Sequence, residues 1–202
     1  MKQQVILRCN PLTHWSIPLY YRLRMCSSAL NFCDRYSTPQ EAWDAIPNLG
    51  WFTRVDDEFQ CFSRASALRV WRDFVTEIDE NSPSIFALTA PHQIREIYKL
   101  SGEELTDESL SDMFYDAKSL IMNADNESQR LLAKSAVYIT DPQIKRNYGL
   151  YCIDAIYSLM WWHRSLFGDT EHYRQRGRIE QLALNIIRRH HPLVPFTIEY
   201  FE

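Results

Sequence analysis

Residues 141–168 read DPQIKRNYGLYCIDAIYSLMWWHRSLFG, and the rest of the chain is read outward from this stretch. Asp141 and Pro142 carry a helix-start signature. An aspartate side chain can accept from an orphan backbone N–H, and the proline after it has no N–H to leave unpaired. Gly168 stands where a left-handed C-terminal cap falls. The spacing predicts a helix over 142–167, about seven turns long. Ile144, Tyr148, Tyr151, Ala155, Leu159, Trp162 and Leu166 recur at threes and fours and form one apolar face. Ile153, Ile156, Tyr157, Met160 and Trp161 cover most of the remaining circumference, leaving a narrow polar stripe of Asn147, Asp154, Ser158 and Ser165. A helix apolar nearly all round is buried on several sides. It is not expected to cross a membrane. The run from Asn147 to Trp162 is 16 residues with a carboxylate in its middle, against the ~20 apolar residues a span requires.

Asp154 is the only charge between Arg146 and His163. One reading makes it a pocket acid with a raised pKa. The other has it emerge through the polar stripe or pair with a neighbouring arginine, and the cost of burying a lone charge favours this second reading.

The 202 residues are 46% hydrophobic and 13% aromatic, which suits a packed globule and not a disordered chain. Five glycines are few for a turn-rich all-β fold. Cys9, Cys26, Cys33, Cys61 and Cys152 are odd in number and scattered, the pattern of reduced thiols in a cytosolic protein. The N-terminus lacks the apolar core of a secretory signal.

Charge is unevenly placed. Residues 1–72 hold nine basic and six acidic groups, 73–127 hold three and thirteen, and 128–202 hold ten and seven. Arginine outnumbers lysine 17 to 5, which suits planar, bidentate ion pairing.

Along the chain, Gln3–Cys9 alternates like a short strand. Leu19–Tyr36 reads as one helix. Thr38-Pro39-Gln40-Glu41 has capping-box spacing and leads into a short helix that stops before Pro47. Residues 51–62 admit a β-hairpin, with WFTRV and FQCF flanking an acidic Asp56-Asp57-Glu58 turn. Ser63 caps a helix to about Ile78, and another is expected from Thr89 to Gly102. Thr106 caps a helix to Asn123, and Ser128–Thr140 forms the next. After the central helix, Thr170 opens a last long helix that must end at Pro192. The tail PFTIEYFE is extended and could pair with the N-terminal strand. No repeat or linker divides the chain. The expectation is a mainly α, single-domain helical bundle over 1–202, built around the central helix, with short strands near the termini and at 51–62.

No chemistry-bearing motif stands out. His163 and His172 are nine apart across a helix break, and His190 and His191 are adjacent, so neither pair has metal-ligand spacing on a helix. The glycines at 50, 102, 149, 168 and 177 are isolated and form no phosphate loop. No catalytic residue, metal or cofactor is implied by these spacings. Two charge stripes carry more information. Glu104, Glu108, Asp112 and Asp116 recur every four residues opposite an apolar face. Like charges at that spacing strain a helix, and only the early ones recover part of the cost from the helix dipole. On the last helix Arg174, Arg178 and Arg188 lie on a polar face.

The expected function is a non-catalytic cytosolic protein-binding module of inhibitor, immunity or adaptor type. It would present Glu104, Glu108, Asp112 and Asp116 to a basic surface on another protein. One alternative is a nucleic-acid binder using Arg174, Arg178 and Arg188. Another is an enzyme with a pocket near Asp154 and His163.

Overall fold

The computed structural model describes residues 5–81 and 106–201, without side chains at 79–81. The expected helix from Thr89 to Gly102, and Glu104 of the acidic stripe, lie outside the described residues. The described elements run in the order β1 (Val5–Cys9), α1 (Ser16–Leu23), α2 (Ser27–Cys33), α3 (Pro39–Asp44), α4 (Leu49–Phe59), α5 (Arg64–Asn81), α6 (Asp107–Met122), α7 (Glu127–Thr140), α8 (Tyr148–His190) and β2 (Phe196–Tyr200). The fold is mainly helical, with a two-stranded sheet made by the ends of the chain.

Gly168 breaks α8 into two arms. Its backbone, at φ 76 and ψ 173, is a conformation that only glycine adopts readily. The first arm is the predicted core helix. Cys152, Ile153, Ala155, Ile156, Leu159, Met160 and Trp162 are all buried, and α7, α5 and α4 pack around α8. The second arm buries Ala183, Leu184, Ile186 and Ile187. Across the bundle, Trp71 of α5 donates its indole N–H to Ser135 Oγ of α7 at 2.8 Å, satisfying both polar groups inside the core. No described helix is long and apolar enough to cross a membrane.

The start of the central helix differs from the prediction. Asp141 Oδ1 accepts instead from Gln143 N at 2.8 Å, closing a local turn of the kind that competes with helix capping. The helix begins at Tyr148, after Asn147 in the left-handed region at φ 57. Asn147 is held there by Gln60, whose Oε1 accepts from its backbone N–H at 3.2 Å and whose Nε2 donates to its side chain at 2.5 Å.

Residues 51–62 form no hairpin. Asn48 Oδ1 accepts from Trp51 N at 3.3 Å and starts a helix. Phe52, Val55, Asp56 and Phe59 follow at helical spacing and are all buried. Asp56, placed in the supposed turn, points inward, and Gln60 ends the helix in the left-handed region at φ 50. Leu19–Tyr36 is likewise two helices. Arg24, at φ 48 and ψ 48, ends α1, and extended Cys26 starts α2.

Other start signals hold. Thr38 and Glu41 form both bonds of a capping box. Ser63 Oγ accepts from Ser66 N at 3.1 Å while Ser66 Oγ accepts from Ser63 N at 2.9 Å. Strand β2 pairs with β1 in parallel, Leu7 opposite Ile198. Parallel strands need a long crossover, and here the helical bundle is that crossover. The chain leaving α8 is fastened to α3: Trp43 Nε1 donates to His191 O at 2.9 Å, and Gln40 Nε2 donates to Pro192 O at 2.8 Å.

Candidate functional site

Helix α6 builds the acidic face. Thr106 Oγ1 accepts from Ser109 N at 3.1 Å and fixes the first turn. Leu110, Met113, Phe114 and Ala117 are buried, and α6 packs on α7. With that face inward, the helical period throws Glu108, Asp112 and Asp116 outward, and all three are exposed. Two cations near this face among the described residues are engaged with other groups. Arg64 bonds Asp107 at 3.2 Å, and Lys118 Nζ lies 4.9 Å from the centre of the Phe114 ring. Among the described residues no ion pair joins these carboxylates to the last helix; Arg174 is paired with Glu171 at 2.9 Å on its own turn. Three of the four predicted acids therefore share one open surface, with no ion pair to them among the described residues.

The arginines of the last helix divide. Arg174 and Arg178 are exposed. Arg188 is turned into the fold, donating to the Ile46 carbonyl at 2.6 Å, and burial holds its pKa below the ordinary arginine value. Arg189 pairs with Glu77 at 3.0 Å.

Asp154 and His163 are not brought together. Both lie on the first arm of α8, and nine residues is two and a half turns, so they point to opposite sides about 13 Å apart along the axis. Asp154 is half-buried. Burial raises its pKa, and Lys134 of α7 pulls the other way. His163 packs instead near Gly168, its ring 4.4 Å from Phe167 and 6.3 Å from His172. His172 in turn stacks under Trp161 at 6.2 Å, and Arg164 covers the same indole at 4.7 Å while bonding Asp169 at 2.5 Å. The Nδ1 atoms of His163 and His172 are buried without a hydrogen-bond partner among the described residues. The sequence marked both residues but not their convergence, which depends on the turn at Gly168.

These histidines predict a pH dependence. Burial lowers both pKa values. His172 lowers that of His163 further, against Glu171, and Arg164 and Arg176 lower that of His172, against Asp169. An unconstrained histidine titrates at about 6.5, so the unfolded chain takes up these protons first as pH falls. Stability is therefore fully present above that value and is lost as pH drops toward the folded pKa values. Thermal melts across this range should show a shallower loss for His163→Gln/His172→Gln than for wild type. Equal slopes would mean that the pair does not titrate with unfolding.

Compared with protein-family models, curated proteins and solved structures, the chain matches none of them.

Proposed function

We propose that this protein is a non-catalytic binding module of inhibitor, immunity or adaptor type, and that the outward face of α6 recognises a basic surface on another protein. The observation that carries the reading is the exposure of Glu108, Asp112 and Asp116 four residues apart, with no cation set against them among the described residues. Glu104 continues the same spacing in sequence. A field of one sign raises the rate of encounter with an oppositely charged partner and weakens as salt rises. A cytosolic setting agrees with five free thiols.

The test changes Glu108→Gln, Asp112→Asn and Asp116→Asn together. Relieving like-charge repulsion should keep or slightly raise the melting temperature. Capture from host lysate, read by mass spectrometry, should identify a basic protein held by wild type at low ionic strength. With that protein purified, the triple variant should associate roughly tenfold or more slowly. The wild-type rate should fall toward the variant's as salt screens exposed charges over ~8 Å. A partner that binds both chains at equal rates, or binding indifferent to salt, would remove α6 as the recognition surface. Retention on DNA lost with Arg174→Gln/Arg178→Gln would favour nucleic acid instead.

A further inference from the structure

The four short helices α1–α4 and the end of the chain line a half-open apolar cavity of about 340 Å³, at the small end of the ~300–1,000 Å³ usual for ligand pockets. Its walls include the rings of Trp15, Phe32, Trp43 and Trp51, with Val194 and Phe196 closing one side. The indole N–H groups of Trp15 and Trp43 are turned away to backbone carbonyls, donating to Tyr36 O at 2.8 Å and His191 O at 2.9 Å. Phe32 and Trp51 meet edge to face at 4.8 Å and hold each other in place. The interior therefore offers hydrocarbon and ring faces.

Among the described residues two charged side chains line this cavity, Arg24 and Arg54, and both are positive. No carboxylate among the described residues lines it. Both arginines are exposed, and among the described residues neither has an ion-pair or hydrogen-bond partner for its guanidinium. Nearby Arg22 shows the contrast, since it is paired with Glu58. Arg24 also stands in a backbone conformation, φ 48 and ψ 48, that residues with a side chain seldom adopt. Glycine is the usual residue at such a helix end, yet here the chain places a cation on the cavity wall. Guanidinium groups recognise carboxylates through paired N–H donors. An apolar chamber edged by two guanidiniums without partners among the described residues is complementary to a molecule with an apolar body and one anionic end.

We propose that this cavity binds a small amphipathic monocarboxylic acid, its acyl or aryl body among the tryptophans and its carboxylate on Arg24 and Arg54. This site is separate from the acidic face of α6, and its test leaves that face unaltered.

Decanoate and 1-naphthaleneacetate serve as probes, each set against the alcohol of the same skeleton, with the full-length chain. Binding is read from tryptophan fluorescence and from alkylation of Cys26. That thiol lines the cavity and is exposed, and the Ser28 hydroxyl at 2.9 Å lowers its pKa, so it reports occupancy directly. At least one acid should bind saturably, one per chain, and slow Cys26 alkylation, with its alcohol tenfold or more weaker. Arg24→Gln and Arg54→Gln, both surface changes, should each weaken the acid severalfold and together bring it to the level of the alcohol, whose binding stays unchanged. Ala29→Phe, filling the chamber from α2, should abolish binding of acid and alcohol alike while circular dichroism shows the helices retained. Failure of both acids to saturate overturns the proposal. So does equal binding of acid and alcohol, or acid binding that survives the double arginine change. Should Ala29→Phe not fold, the arginine variants still decide the matter.

Discussion

Trp162→Ala is expected to lower the unfolding free energy by about 3–5 kcal/mol, the range for truncating a fully buried aromatic. The side chain is 1% exposed on the first arm of α8, inside the main hydrophobic core. Its removal takes away a large apolar surface and leaves a cavity that the surrounding helices can only partly close. Against a whole stability of about 5–15 kcal/mol, the loss should lower the melting temperature by roughly 10 °C for a chain of this size. Trp161→Ala is the matched control. Trp161 is 50% exposed, its ring against Arg164 and His172 near the break in α8. That change should move the melting temperature by no more than about two degrees. Two adjacent tryptophans thus differ because a helix turns about 100° per residue and only one faces the bundle. If the two variants melt alike, the first arm is not the centre of the core.

The central helix was legible because its apolar residues repeat at the helical period over many turns, and Gly168 marks its end. Thr38, Ser63 and Thr106 were legible as caps, since each needs only its own neighbours three residues on. Two of the errors share one physical origin. Arg24, Gln60 and Asn147 sit at left-handed positions that glycine would normally mark. Without that mark, the division between α1 and α2 and the start of α8 leave no trace in local sequence. Gln60 and Asn147 hold one another across 87 positions of chain, a constraint no short window contains. Asp56-Asp57-Glu58 reads as a solvated turn because acids usually are. Asp57 is exposed as that rule expects, while Asp56 is buried by donors that arrive from elsewhere in the fold. Of the candidate sites, the outward face of α6 followed from periodicity alone. The apolar cavity did not, because its tryptophans are indistinguishable in sequence from ordinary core residues until four short helices are set around them.

Asp56 yields the second large effect. It is 0% exposed, yet it carries a carboxyl group between α4 and the start of α8. Oδ1 accepts from Phe62 N at 2.8 Å and from the Cys61 thiol at 3.4 Å, and Oδ2 accepts from Gly149 N at 2.8 Å. The amides of Phe62 and Gly149 have left water to reach it, each at the edge of a helix. Asp56→Ala strands both in a dry interior at about 1–3 kcal/mol apiece, so a total loss of about 2–6 kcal/mol is expected. Asp56→Asn should fall between wild type and Ala, because one acceptor oxygen remains while an NH₂ group confronts the other amide. Gly149 explains why this contact is so close. A Cβ added there would lie 2.7 Å from the Asp56 Cγ and 2.8 Å from its Oδ2, so Gly149→Ala should itself cost about 1–3 kcal/mol through overpacking. The two changes should not add. In Asp56→Ala/Gly149→Ala the new methyl enters space vacated by the carboxyl group, and denaturant melts of the four chains should show the double variant less destabilised than the sum of the singles. Simple additivity would mean that the Gly149 penalty arises from the helix start itself and not from the carboxyl group it faces.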